Sequence, residues 1–405
     1  MRECKILSLD GGGSWALIEA RALGKLFGGA TSGREILGHF TYAAANSGGS
    51  LVLGALAVDM SPDAISGLLL DEGSRRQIFV EKFAGGILKE LGLGSRYRTD
   101  KKLPGIRKLL ATGPTPGVNG DTFLDQVMSA VQATKPFPDL LITAFDYDRQ
   151  RAVFFRSNTS SAASSDPNVP APTLAEALHA SSNAPVLYFD KPATFATPAF
   201  AGKRYWDGAT AGLNNPALAA VIEAITNGYS AGEIKVLTIG SGTDFRPLEG
   251  DKVKPPLAVP TADTGAITAI KTLAHTITAD PPDAATYEVF RILHGAGNVD
   301  NAALRVVRMS PLIQPVLSDA TGRWKLPAGL SLTEFGKLAK LDMDAVDQKE
   351  VLLIDKFAGL WLKSSTANDI PNQSIQHHDN LQTRYGHPRF SDAHARALAL
   401  GLCTQ

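Results

Sequence analysis

At 405 residues, with 44% hydrophobic and 20% charged side chains, the chain is long and apolar enough for one large α/β domain with additions, or for two domains, and it is not a disordered chain. Forty basic residues balance forty acidic ones, so bulk charge recruits neither nucleic acid nor an anionic membrane. Cys4 and Cys403 make no disulfide framework and have no metal-ligand spacing, and no apolar run reaches the roughly eighteen residues of a membrane-spanning helix.

The N-terminus enters an apolar run at once and lacks a signal-peptide pattern. The expected location is therefore the cytoplasm, with membranes reached only at their surface. Cys4 to Leu9 reads as a strand that runs into Asp10-Gly11-Gly12-Gly13. Glycines without a Cβ let a ligand oxygen approach the backbone amides closely. Ser14 to Phe27 follows with Leu17, Ile18, Ala22 and Leu26 on one helical face, which puts those amides at the positive end of a helix dipole. Such a place favours an anion or a developing oxyanion, although the three glycines taken alone favour a phosphate-cradling loop or a plain βα turn. No Lys-Ser/Thr follows and G-x-G-x-x-G is incomplete, which weakens the nucleotide reading.

A second apolar stretch, Phe40 to Ala45, runs into Asn46-Ser47-Gly48-Gly49 and a helix. Ser47 between Ala45 and Gly49 is a variant of G-x-S-x-G, the sharp strand-to-helix turn that exposes a nucleophilic hydroxyl. An ordinary helix N-cap is the other reading. Gly48 to Val58 is apolar nearly all round and should be buried, so that only its N-terminus meets a substrate.

Ser61 to Thr115 reads as helices and loops. Phe83 to Leu93 could serve as a lid or interfacial patch, or pack in the core. Lys101-Lys102 with Arg107-Lys108 reads as a solvated charged face. Asp121 is expected to cap a helix carrying Phe123, Leu124, Val127, Met128 and Val131. Leu140 to Phe145 and Ala152 to Phe155 read as two strands, Asn158 to Pro172 as a loop, and Leu174 to Ala180 as a short helix ending near a lone His179. Ala201 to Trp206 leads as a strand into Asp207-Gly208-Ala209, where an Asp opening a tight turn reads by itself as an Asx motif. The prolines between Phe245 and Gly265 mark a boundary. Residues 266–362 read as mainly helical with a turn-rich insertion from Pro311 to Ser331. Asp342, Asp344 and Asp347 lack the Gly and final Glu of an EF-hand and read as helix-capping and solvated residues. His377, His378, His387 and His394 match no strong metal site.

Taken together, Asp10 to Gly13, Asn46 to Gly49 and Tyr205 to Ala209 with Asn214-Asn215-Pro216 resemble, in order, the three catalytic motifs of the patatin-like phospholipase family. Ala180 to Pro185, Leu237 to Thr243 and Leu341 to Ala345 resemble it more loosely. The resemblance implies a three-layer α/β/α sandwich around a mainly parallel sheet, with a patatin-like core at 1–245, a Pro-rich connection at 246–265 and a mainly helical region at 266–405. It implies a lipid acyl hydrolase of the phospholipase A type, working on a lipid or membrane-surface substrate without metal or organic cofactor. Ser47 would be the nucleophile and Asp207 its base, with the amides of Gly11, Gly12, Gly13 and Gly48 as the oxyanion hole. The family's oxyanion loop continues with a basic residue and another Gly, whereas Ser14, Trp15 and Ala16 stand here, and its elbow begins with Gly where Ala45 stands. Trp15 is therefore expected to pack beside the loop and shape acyl access. Two other readings stay open: an esterase with a Ser-His-Asp triad, and a catalytically weak effector regulated by a ligand. The residues name neither an activator nor an oligomeric state.

Overall fold

The structure is a computed structural model, and the residues it describes are 2–82, 94–114, 117–130, 137–163, 171–250, 253–260, 281–295, 300–318, 322–370 and 386–405. The expected lid or interfacial stretch at 83–93, the His377-His378 pair and part of the Pro-rich connection lie outside them.

Six strands form the spine of one sheet. They are β1 (Cys4–Leu9), β2 (Tyr42–Ala45), β3 (Asp139–Asp146), β4 (Arg151–Arg156), β5 (Tyr205–Asp207) and β6 (Ile234–Ile239). After the short β7 (Thr243–Asp244), a further strand, β8 (Val306–Met309), completes it. The order is β4-β3-β2-β1-β6-β8, with β5 paired to the far part of β3. β1, β2, β3, β6 and β8 run parallel, while β4 and β5 lie antiparallel to β3. The sheet thus takes its last strand from beyond residue 265, a region read as mainly helical: Val306-Val307-Arg308-Met309 is too short an apolar run to show a strand period by itself. Two small ladders follow, β9 (Leu312–Ile313) on β7 and β10 (Val316–Ser318) with β11 (Arg323–Lys325).

The strand period sorts side chains to two faces. Leu7, Leu9, Ala43, Ala45, Ile142, Ile239 and Met309 enter the larger core. Cys4, Ile6, Tyr42, Ala44, Leu141, Val236 and Val306 enter a smaller one on the opposite face. Helices α1 (Leu17–Phe27), α2 (Gly33–Leu37), α3 (Ser47–Ala57), α4 (Pro62–Leu70), α5 (Glu72–Ile78), α6 (Thr99–Leu110), the single turn α7 (Val127–Ala130) and α8 (Leu174–Ser181) supply the first face. Helices α9 (Ala217–Thr226) and α10 (Pro281–His294) supply the second. The C-terminal helices α11 (Leu332–Leu338), α12 (Gln348–Leu362) and α13 (Phe390–Ala399) bury Phe335, Trp361 and Phe390 against the larger core. Cys4 and Cys403 are both free and buried. No helix among the described residues is long and apolar enough to cross a membrane.

Register explains where the site forms. Leu9 pairs with both Ala45 and Ile239, so β1, β2 and β6 end level and their three turns emerge side by side. Ala45 pairs with Ile142, and Ala144, two residues further along β3, pairs with Asp207. Asp207 therefore stands at the same carboxyl edge of the sheet, where open α/β folds place their ligands.

Candidate active site

Ser47 begins α3 with φ of +46°, a left-handed conformation that a residue with a Cβ adopts at a cost of about 1–3 kcal/mol. Three hydrogen bonds hold it there: Asn46 N–H to the Leu9 carbonyl (3.1 Å), Ser47 N–H to Ser181 Oγ (3.0 Å) and Gly49 N–H to the Asp10 carbonyl (3.0 Å). The two glycines that follow are required by space. A Cβ on Gly48 would lie 2.6 Å from the Gly13 carbonyl, and one on Gly49 2.4 Å from that of Asp10. Ala45, just ahead of the turn, is fully buried within β2.

Asp207 is buried and opens a 3-10 turn. Its Oδ1 accepts from the Ala209 amide (2.9 Å) and from Asn46 Nδ2 (3.0 Å), and Asn46 Oδ1 accepts from Thr143 Oγ1 (2.7 Å). Asn46 thus joins the residue before Ser47 to the carboxylate. Gly208 leaves room for this bridge, since a Cβ there would stand 2.4 Å from Asn46 Oδ1. Burial raises the Asp207 pKa. The Ala209 amide, Ser47, Asn46 and the charge of Lys102 act against that rise, and no histidine is among the groups acting on it.

The glycine loop packs over the same point. A Cβ on Gly11 would lie 2.9 Å from the Cβ of Ser47, so the loop and the elbow are in contact. Gly11, however, donates its amide to the Asn214 carbonyl at 2.8 Å and has nothing left for an oxyanion, which corrects the expectation for that residue. The amides of Gly12, Gly13 and Gly48 have no acceptor among the described loop and cap groups. Gly13, at φ +56°, sits against the carbonyl of Met343, which also accepts the Ser14 amide at 2.8 Å.

Two arginine-centred ion-pair clusters fix this loop from behind. Arg308 on β8 reaches Asp10 Oδ2 (2.7 Å), Asp369 Oδ2 (3.0 Å) and Thr238 Oγ1 (3.0 Å). Burial pushes both Asp10 and Asp369 up to about 6 while Arg308 pulls each down. Arg96 pairs with Asp344 (2.6 Å) and Asp342 (2.7 Å), Tyr97 donates to Asp344 (2.6 Å), and Tyr188 donates to Asp342. Asp344 is therefore not a solvated cap, its side chain being 1% exposed, whereas Asp342 keeps an exposed carboxylate that nevertheless pairs with Arg96, and the two tie the Met343 backbone to the cleft wall. Asp347 does cap α12, through the Lys349 amide.

Ser47 opens into a cleft of about 320 Å³, solvent included, whose walls include Gly13, Gly48, Leu51, Lys102, Phe189 and Met343. Leu51, Ile78 and Phe79 are shared with an adjoining space of about 660 Å³, open solvent again included, that continues past Met60, Ile65 and Leu109 and is almost wholly apolar. Trp15 lines neither. It is 7% exposed, packs in the larger core and donates its indole N–H to the Asp342 carbonyl at 3.2 Å. It lies next to the loop as expected but does not face the acyl-sized space.

Lys102, read as part of a solvated face, is 1% exposed, and its Nζ donates to the Ser182 carbonyl. The sequence carried a signal: on α6, Lys102 stands four residues before Ile106 and eight before Leu110, on the helix's buried stripe. His179 is buried beside it, its pKa lowered by burial and by Lys102 and Arg107. Arg308 and Arg96 also escaped the sequence, and Asn46 and Asn214 stood out there only as members of motifs, because each acts through a partner distant along the chain.

The model for the family described as patatin-like phospholipase matches residues 7–221. No curated protein sequence matches the chain. Among solved structures, VipD from Legionella pneumophila is 15% identical with a TM-score of 0.35, over 98% of this chain and 75% of VipD. ExoU from Pseudomonas aeruginosa, crystallised with SpcU, is 15% identical with a TM-score of 0.27, over 72% of this chain and 53% of ExoU. A second ExoU–SpcU complex gives 18% identity and a TM-score of 0.28, over 69% and 51%. Likenesses at this level say nothing about substrate.

Proposed function

The chain belongs to the patatin-like phospholipase family, and from that premise we propose that it hydrolyses lipid acyl esters through Ser47 and Asp207. The observation that carries it is that the strained Ser47 turn, the Asp207 carboxylate bonded to the neighbouring Asn46, and the loop amides of Gly12, Gly13 and Gly48 gather at a cleft that shares Leu51, Ile78 and Phe79 with an adjoining apolar space. Asp207 takes the Ser47 proton, and Ser47 Oγ attacks the ester carbonyl. The amides hold the oxyanion, and collapse of the tetrahedral intermediate releases the alcohol and leaves an acyl-enzyme. Water, deprotonated by Asp207, then frees the fatty acid. A partly desolvated carboxylate is a stronger base than one in water, and burial raises Asp207 in that direction.

The space beyond Leu51, Ile78 and Phe79 suits an acyl chain, because its walls are nearly all apolar side chains. With equal numbers of acidic and basic residues, contact with a membrane surface is expected to be apolar and little affected by salt. The triad alternative would need a histidine on Asp207.

Reaction with a fluorophosphonate followed by peptide mapping tests the assignment, alongside hydrolysis of a mixed lipid extract read by mass spectrometry. Ser47→Ala and Asp207→Asn should each abolish both signals, while His179→Ala, if folded, should label. Labelling that persists in Ser47→Ala, or is lost in a folded His179→Ala, would refute the dyad.

A further inference from the structure

We propose that Thr143 and Asn46 form a positioning relay for this site: the Thr143 hydroxyl holds the oxygen end of the Asn46 amide, so that its donor end stays on Asp207 and reserves the other carboxylate oxygen for the Ser47 proton. This deepens the Ser47–Asp207 reading and rests on it.

The sheet brings the three side chains together. Thr143 lies on β3 between Ile142, which pairs with Ala45 of β2, and Ala144, which pairs with Asp207 of β5. It therefore stands between the strand that leads into the elbow and the strand that carries the carboxylate. Thr143, Asn46 and Asp207 are all buried, so their polar heads must find partners in one another and in the backbone.

The direction of each bond follows from what the groups can do. A carboxylate only accepts, so the Asn46 end that lies 3.0 Å from Asp207 Oδ1 is the Nδ2 donor, which also faces Asn214 Oδ1 at 3.5 Å. The amide oxygen is then turned to Thr143 Oγ1 at 2.7 Å, and the hydroxyl supplies the proton that this oxygen needs. The other acceptor within reach of the hydroxyl, the Ala45 carbonyl, is 3.5 Å away, at the limit of a hydrogen bond.

The far end of the relay is where it meets the chemistry. Asp207 Oδ1 receives both the Ala209 amide (2.9 Å) and Asn46 Nδ2, and neither bond falls on Oδ2. With one oxygen held by two donors, Oδ2 is the one left to take the Ser47 proton. The Asn46 head also lies beside the nucleophile: its Nδ2 and the Ser47 Cβ are each 2.9 Å from the point where a Cβ on Gly11 would stand. Gly208 packs on the relay itself, since a Cβ there would meet Asn46 Oδ1 at 2.4 Å and Thr143 Oγ1 at 2.7 Å. Without the hydroxyl, Asn46 Oδ1 is buried with no donor, and the amide either turns its oxygen against the carboxylate or withdraws from it. In both cases Asp207 loses one of the two bonds that hold Oδ1.

The test is fluorophosphonate labelling and steady-state hydrolysis of a soluble p-nitrophenyl ester by Thr143→Val, Thr143→Ser, Asn46→Ala and the double variant Asn46→Ala/Thr143→Val, with folding followed by urea unfolding. Thr143→Val keeps the shape without the hydroxyl and should slow labelling and kcat about tenfold or more, with KM nearly unchanged. Thr143→Ser returns the hydroxyl and should restore most of the rate. Because Thr143 acts through Asn46, adding Thr143→Val to Asn46→Ala should cost nothing further. A folded Thr143→Val at the wild-type rate, a Thr143→Ser as slow as Thr143→Val, or losses that multiply in the double variant would overturn the proposal. If Thr143→Val fails to fold, Thr143→Ala takes its place with the same expectations, and Asn46→Ala at the wild-type rate overturns the proposal whatever Thr143 tolerates. A wild type that neither labels nor hydrolyses would sink the Ser–Asp reading instead. The urea-unfolding cycle of the Thr143 variant with Asn46→Ala still measures the relay in that event, and zero coupling rules it out.

Discussion

Replacing Arg308 with Met exposes what the ion pair behind the glycine loop contributes. The guanidinium is 2% exposed and bonds Asp10, Asp369 and Thr238 at once, so the substitution strands two buried carboxylates. Removing one partner of a buried pair costs about 3–5 kcal/mol. The loss should depend on pH with a definite sign. Asp10 and Asp369 stand at about 6 in the fold, above their ordinary value, so each binds its proton more tightly folded than unfolded. Their contribution to stability is fully present below the unfolded value near 4 and is lost as pH rises through about 6. Arg308 limits that loss in the wild type by pulling both values down, and it acts the same way on Glu19, which burial raises most of all. Without it the carboxylates bind protons to still higher pH. The gap between variant and wild type should therefore be widest at pH 7.5 and shrink toward pH 5. Urea unfolding at the two pH values measures it, with fluorophosphonate labelling as a readout of the loop. A gap under about 1 kcal/mol at pH 7.5, or one of equal size at both, would refute the reasoning.

Gly208→Ala should cut labelling about a hundredfold in a folded protein, because the new methyl would lie 2.4 Å from Asn46 Oδ1 and must displace Asn46 or Asp207; unchanged labelling would show that the bridge has slack. Leu109→Trp projects into the adjoining apolar space from a half-buried position and should shift the acyl-length profile toward shorter chains, measured on a series of p-nitrophenyl esters, with long chains still preferred if the space is not the acyl site. Trp15→Ala should destabilise by about 3–5 kcal/mol as a core truncation while leaving that profile unchanged, and an altered profile in folded protein would return Trp15 to the substrate path.

The parts of the molecule legible in the sequence are those that local chemistry determines. β1 and β2 are apolar runs stopped by glycine turns, and the register that levels their ends follows from the strands themselves. Ser47 and Asp207 stand out because each occupies a turn whose neighbours must be small, as the space around Gly48 and Gly208 demonstrates. Long-range partners left no such trace. Gly11 looked equal to its neighbours, yet its amide is taken by a carbonyl at Asn214. Asp344 looked like a surface carboxylate because nothing near it in sequence reveals Arg96. The strand carrying Arg308 is four residues long and hid in a stretch of helical composition. Lys102 is different: the helical period around Ile106 and Leu110 placed it on the buried side, and the adjacent Lys101 disguised that.

The Met343 carbonyl that receives the Ser14 amide has a consequence for the order in which the enzyme can come into being. A chain leaves the ribosome from its N-terminus at about 5–20 residues per second, so the elbow and glycine loop emerge well ahead of the segment that backs them. The lag of some 300 residues from Ser47 to Asp344 corresponds to roughly 15–60 s. During that interval Asp10 has no Arg308 and Gly13 no Met343, so the glycine loop lacks the contacts that back it from the C-terminal part of the chain. The loop between β1 and α1 therefore gains its backing only when the last third of the chain has folded back over the first.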